Sequence, residues 1–133
     1  MRKIDEIIIH CSDSDRPEHD DIKVIDQWHK ERGFKKVGYH YFIKKNGDLQ
    51  IGREESEMGA HCASHNQNSI GICLHGKKDL PTWEQTRTLL FLCRELMTKY
   101  DIDPMNIHGH REYNEHKTCP NFDVKLELLP FLV

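Results

Sequence analysis

The sequence has no long hydrophobic run. Its first apolar segment, residues 4–9, is interrupted by Asp5 and Glu6 and follows Arg2 and Lys3 directly. The segment is too short and too charged to be a secretory signal or a membrane span. We therefore expect a protein that is made in the cytoplasm without a signal peptide and that does not insert into a membrane.

An excess of charge of one sign is also missing. The 133 residues include 19 basic and 22 acidic side chains, well mixed along the chain, and the formal net charge is −3. No basic tail or stripe is present that would attract a polyanion. The sequence therefore predicts that nucleic acid is not a partner.

The sequence also lacks a cysteine pattern that would indicate disulfide pairing. The five cysteines are an odd number without regular spacing, and thiols of cytoplasmic proteins usually stay reduced. We expect no disulfide framework. Cys73 and Cys93 lie in apolar runs, a setting in which a thiol is most often a small buried hydrophobic group.

Repeats, low-complexity tracts and linkers are absent, so we expect one domain over residues 1–133. Buried strands are predicted at residues 6–10 and 69–75, and a short final strand at 105–108. Residues 39–45 and 48–53 flank Asn46-Gly47, which predicts a hairpin with a two-residue turn.

Helices are predicted between these strands. One spans about residues 20–32 and ends at Gly33 in the left-handed conformation. A second begins with a capping box of Thr82 and Gln85 and ends near Tyr100, and a short third follows Asp123. The pattern predicts an α/β domain with a central mixed sheet of about five or six strands flanked by helices.

Two histidines are predicted to lie at the ends of strands. His10 ends the first strand and His110 follows the last, so their imidazoles can converge if those strands are neighbours, and Cys119 returns from a loop. Two imidazoles and a thiolate form a three-ligand set for zinc with one open position, as in a catalytic site. His108 points to the same side of an extended chain as His110 and is an alternative ligand. No short metal motif such as H-E-x-x-H distinguishes these possibilities.

Six short blocks occur in a characteristic order along residues 7–123. They are His10-Cys11-Ser12, Gly38-Tyr39-His40-Tyr41, Gly59-Ala60-His61, Asn68-Ser69-Ile70-Gly71-Ile72, Gly109-His110-Arg111-Glu112 and Lys117-Thr118-Cys119-Pro120. In this order the chain resembles the phage-type zinc N-acetylmuramoyl-L-alanine amidases, or type 2 amidases. Their fold is shared with peptidoglycan-recognition proteins.

The resemblance implies a site and a reaction. His10, His110 and Cys119 match the ligands of one Zn²⁺ per chain, and Tyr39 and Lys117 match catalytic residues. His61 corresponds to a histidine on the groove side in relatives, and we assign it to substrate contact. The implied reaction is hydrolysis of the amide bond between N-acetylmuramic acid and L-alanine in peptidoglycan. The substrate would lie in a groove walled partly by residues 54–68. From the residues alone, Tyr39 could also be an ordinary strand aromatic, Lys117 a surface charge and His61 a solvated loop residue.

The resemblance also implies a biological setting. We expect a monomeric endolysin of a phage or prophage that reaches the cell wall by phage-type release and carries no separate wall-binding domain. The alternative is a non-catalytic peptidoglycan-binding or regulatory protein on the same fold. The chain departs from the family between His110 and Cys119, where the loop is about one residue longer and has Glu115-His116 in place of a proline-containing turn.

Overall fold

The computed structural model describes residues 2–133 and has a mixed β-sheet at its centre. In this part of the chain the sheet has five strands: β1 (Glu6–Cys11), β2 (Tyr41–Ile43), β3 (Leu49–Ile51), β4 (Ser69–Leu74) and β5 (Ile107–Gly109). Their order is β3-β2-β4-β1-β5. Only β3 runs antiparallel to its neighbour, β2, whereas β1 is parallel to both β4 and β5. The predicted mixed sheet is confirmed.

In residues 2–133, three α-helices cover the sheet. They are α1 (Ile22–Glu31), α2 (Trp83–Tyr100) and α3 (Val124–Leu128). The main core packs one face of the sheet against α2 and α3, and a smaller cluster around Ile25 and Phe42 packs α1 against the other face. Among the helices of residues 2–133, none has the length and apolar character needed to cross a membrane.

The helix boundaries follow the predicted capping signals. Gly33, just after α1, has a φ of +95°, as predicted for the residue that ends the helix. Thr82 and Gln85 form the predicted capping box of α2. The Asp123 side chain accepts a hydrogen bond from the Leu126 amide and so caps α3.

The predicted hairpin is present, but its strands are shorter and its turn is of another kind. The Gly47 amide bonds the Lys44 carbonyl at 2.8 Å, and the Lys44 amide bonds the Asp48 carbonyl at 2.9 Å. Within the turn only Gly47 has a positive φ, at 91°, so the turn is a three-residue loop with a left-handed glycine, and the expected two-residue turn is wrong. The Asn46 side chain instead accepts a hydrogen bond from the Asp48 amide.

The last strand lies slightly later than predicted, and its position sets the site. Pro104–Asn106 forms a 3-10 turn that starts on the Asp103 side chain, so β5 begins only at Ile107. Ile9 of β1 pairs with Gly109 of β5, which places His10 beside His110. The two strands are neighbours, as the convergence of their histidines requires.

Candidate metal centre and active site

Three of the predicted side chains meet at the carboxyl ends of β1 and β5. The ligand atoms of His10, His110 and Cys119 all lie within 4.8 Å of one another. The imidazole centroids of His10 and His110 are 4.6 Å apart. The Arg111 amide donates to the Cys119 carbonyl at 2.8 Å, which ties the cysteine loop to the turn that carries His110. The structure therefore brings together the whole predicted ligand set.

The chemistry of these donors suits a zinc ion. Burial lowers the pKa of His10 well below its usual value, and burial together with the charge of Lys117 lowers the pKa of His110. Both imidazoles are therefore neutral near pH 7, the form that binds metal. Two imidazoles and one sulfur are donor types that Zn²⁺ prefers, and three protein ligands leave a fourth position open.

The sulfur of Cys119 has close contacts with the end of β1. The Cys11 amide donates to Cys119 Sγ at 2.9 Å, a contact that stabilises negative charge on sulfur. Without a cation, the hydrogen bond with the Cys11 thiol and burial raise the pKa of Cys119. A coordinated metal has the opposite effect and deprotonates a ligand thiol. Within residues 2–133 all five cysteines are free thiols, so Cys119 is available as a ligand.

His108, the alternative ligand, lies outside this cluster. Its Nδ1 is 2.9 Å from a carboxylate oxygen of Glu112 and 3.1 Å from Nζ of Lys125. The alternation of an extended chain did not separate His108 from His110. The 3-10 turn that begins at His110 does, because it redirects the chain beyond β5.

Tyr39 and Lys117 lie on the borders of the cluster. The Tyr39 ring centroid is 4.9 Å from that of His10, and burial raises the pKa of its phenol well above the usual value. Tyr39 therefore keeps its proton near pH 7. Lys117 is exposed on the loop before Cys119, and no acceptor within residues 2–133 pairs with its ammonium group. Its charge contributes to the lowered pKa of His110, so the ammonium group is close enough to act electrostatically on this histidine.

His61 is placed differently from the expected groove-wall position. Its residue surface is only 9% exposed. Its Nδ1 is 2.8 Å from Nε2 of His10, and its Nε2 is 3.2 Å from Oγ of Ser69. Both ring nitrogens are thus engaged by protein groups, and contact between His61 and substrate stays a prediction.

His29, to which the sequence pattern assigned no role, packs against Tyr39. The Gly38 amide donates to Nδ1 of His29 at 2.8 Å, and the ring centroids of His29 and Tyr39 are 5.3 Å apart. Burial lowers the pKa of His29 to about 4, so this residue is a neutral acceptor. Its helical spacing from Ile22 and Ile25 was the signal that it faces the sheet.

Comparisons with known proteins find a matching family, similar sequences and similar structures. The family described as N-acetylmuramoyl-L-alanine amidase matches residues 1–122. The endolysin of Escherichia phage T7 is 38% identical over 128 residues, which cover 91% of this chain and 83% of the phage protein. The solved structure of the N-acetylmuramoyl-L-alanine amidase LysC from Clostridium intestinale URNW has a TM-score of 0.85 at 28% identity, covering 96% of this chain and 87% of LysC. The solved structure of Drosophila PGRP-LB has a TM-score of 0.76 at 28% identity, and the match covers 90% of this chain and 76% of the PGRP-LB chain.

Proposed function

Because the chain belongs to the N-acetylmuramoyl-L-alanine amidase family, we propose that it hydrolyses the amide bond between N-acetylmuramic acid and L-alanine in peptidoglycan with one Zn²⁺. The observation that carries the proposal is the convergence of His10, His110 and Cys119 within 4.8 Å. When bound, Zn²⁺ supplies Lewis acidity that polarises the scissile carbonyl and makes water a competent nucleophile near neutral pH.

The protein's own groups perform the remaining tasks. His10 and His110 hold the metal through neutral ring nitrogens, and Cys119 holds it through a thiolate that the Cys11 amide stabilises. Lys117 carries an ammonium group that is free to approach the carbonyl oxygen, where negative charge develops as the carbonyl is attacked. Tyr39 keeps its phenolic proton and orients the attacking water by hydrogen bonding.

The alternative of a non-catalytic peptidoglycan-binding or regulatory protein has less support. A protein that only binds peptidoglycan has no need of a sulfur ligand, yet the Cys119 sulfur is present and lies with both imidazoles. The similarity to the endolysin of phage T7 supports action on the cell wall as a phage or prophage enzyme. We also propose that the enzyme acts as a monomer.

The test combines metal analysis with digestion of a defined substrate. The purified protein is expected to contain one zinc ion per chain and to release stem peptides from purified peptidoglycan. Mass spectrometry should show new free amino groups on L-alanine, and a chelator should stop their release. New reducing sugar ends without free L-alanine would contradict amidase activity.

Variants test the ligand assignment separately. Cys119→Ser and His110→Ala should lose both zinc and activity. His108→Ala is the matched control because this histidine is two residues away and pairs with Glu112 instead. If His108→Ala loses zinc and His110→Ala keeps it, the proposed ligand set is wrong.

A further inference from the structure

A chain of hydrogen bonds leads from the protein interior to His10. The Ser69 hydroxyl donates to the His65 carbonyl at 2.6 Å. A hydroxyl carries a single proton, so this oxygen can only accept the contact that Nε2 of His61 makes with it at 3.2 Å. Nε2 of His61 is therefore the protonated nitrogen of that ring.

The direction of the next bond follows from this proton count. A neutral imidazole has one N–H, so Nδ1 of His61 is an acceptor. Nε2 of His10 lies 2.8 Å away and must donate. Nδ1 of His10 then carries the lone pair. A cationic His61 would reverse this bond, but the ring is buried and bonds to no carboxylate within residues 2–133, so its charge would have no partner.

Two glycines make room for the His61 ring. A Cβ atom added at Gly71 would lie 2.6 Å from Cγ of His61, and one added at Gly59 would lie 2.6 Å from Cδ2. Gly71 is in the interior of β4, where glycine weakens a strand, and it pairs with Ile8 of β1. The His61 imidazole fills the space that this glycine leaves, and the close packing holds the ring beside His10.

We infer that His61 is a positioning residue that holds His10 as the Nε2–H tautomer and so presents Nδ1 of His10 to the metal. The inference rests on the proposed function for the presence of the metal, whereas the tautomer itself is a property of the metal-free protein. A hydrogen-bonded partner of this kind orients a ligand ring and raises its basicity, and its loss costs about 10- to 100-fold in metal affinity.

The tautomer can be observed directly. The whole protein is labelled with ¹⁵N-histidine, and the imidazole nitrogens of His10 are followed by NMR at pH 7, first without metal and then with added Zn²⁺. We expect Nε2 to keep its proton in both samples and Nδ1, the unprotonated nitrogen, to show the larger shift on adding zinc. Protonated Nδ1 in the metal-free protein, or coordination of zinc by an Nε2 that carries no proton, would overturn the inference. If zinc shifts no nitrogen, the proposed metal function fails, and the metal-free tautomer still decides the role of His61.

Variants provide the second readout, zinc affinity measured by chelator competition. His61→Ala should bind zinc about 10- to 100-fold more weakly. His61→Asn, which can place its amide oxygen near the position of Nδ1, should recover much of this loss. His65→Ala is the matched control because that side chain lies in the same segment but contacts Glu6 and Tyr113. Equal affinity in His61→Ala and the wild type, or equal losses in His61→Ala and His65→Ala, would overturn the inference.

A third variant covers the case in which His61→Ala does not fold. Ser69→Ala keeps both imidazoles but removes the oxygen that receives the His61 proton. We expect His10 to become a mixture of the two tautomers in the NMR experiment. An unchanged, pure Nε2–H tautomer in folded Ser69→Ala would show that His61 does not transmit this constraint.

Discussion

Replacing Gly71 with alanine should weaken metal binding without removing a single hydrogen-bonding group. The new Cβ atom would lie 2.6 Å from Cγ of His61, whereas ordinary contacts begin at 3.4 Å. The ring must therefore move by about 0.8 Å, because β4 is central and its backbone is held on both sides. Such a movement disrupts the 2.8 Å bond between His61 and His10.

The size of the effect follows from two separate terms. Inserting a methyl group into a packed interior costs about 1–3 kcal/mol of the free energy of unfolding. Disturbing the partner of a ligand histidine costs about 10- to 100-fold in metal affinity. Gly71→Ala should show both losses, the first in urea denaturation of the metal-free protein and the second in chelator competition.

Gly33→Ala serves as the control for general destabilisation. Gly33 has a φ of +95° and no atom within 4 Å of an added Cβ, so alanine there is strained but displaces nothing. It should cost about 1–2 kcal/mol of stability and leave zinc affinity unchanged. Gly71→Ala with wild-type affinity, or the same loss of affinity in both variants, would refute the steric argument.

Three further predictions concern other parts of the molecule. Lys117→Ala should lower kcat about 10²- to 10³-fold with unchanged zinc content, because it removes a charge that stabilises the developing oxyanion; zinc loss in metal analysis would contradict this. Thr82→Ala should lower the free energy of unfolding by about 1 kcal/mol in urea denaturation, since the capping box of α2 is lost, while amidase activity at 25 °C stays unchanged. Burial lowers the pKa of His40 to about 4, whereas a histidine in the unfolded chain has a pKa of about 6.5. The unfolded chain therefore binds a proton at His40 more readily than the folded protein does. As a result, the free energy of unfolding decreases as the pH falls from about 6.5 towards 4. His40→Gln should therefore lose about 2 kcal/mol less stability than the wild type between pH 7 and pH 4.5, and equal losses would show that His40 is not the group responsible.

Local signals in the sequence were sufficient for the helices. Thr82 and Gln85 are three residues apart, and the side chain of each accepts a hydrogen bond from the backbone amide of the other. Gly33 takes a left-handed backbone conformation that other residues avoid. Both effects act within one turn of chain, so they are readable without the fold. The turn at Asn46-Gly47 was predicted incorrectly because that dipeptide is compatible with more than one loop length, and the Asp48 amide selected the longer one.

The family resemblance favours His110 over His108 as a ligand, but the physical reason for that choice needed the tertiary structure. Both lie on the same side of an extended chain, and only the 3-10 turn after β5 and the carboxylate of Glu112 separate them. The position of His61 also depended on the fold. Its burial comes from space left by Gly59, which is its near neighbour in the sequence, and by Gly71, which is close to it only after β4 has joined the sheet.

The sequence by itself determined the element types, the family and the residue types of the candidate site, because helix caps, buried strands and ordered motifs are local features. Only the tertiary structure decided which side chains share the site and which nitrogen of His10 faces it. Those decisions depend on the pairing of β1 with β5 and on a hydrogen bond between residues 51 positions apart. Contacts of that separation leave no periodic signal in the sequence, so their geometry emerges only when the strands pack.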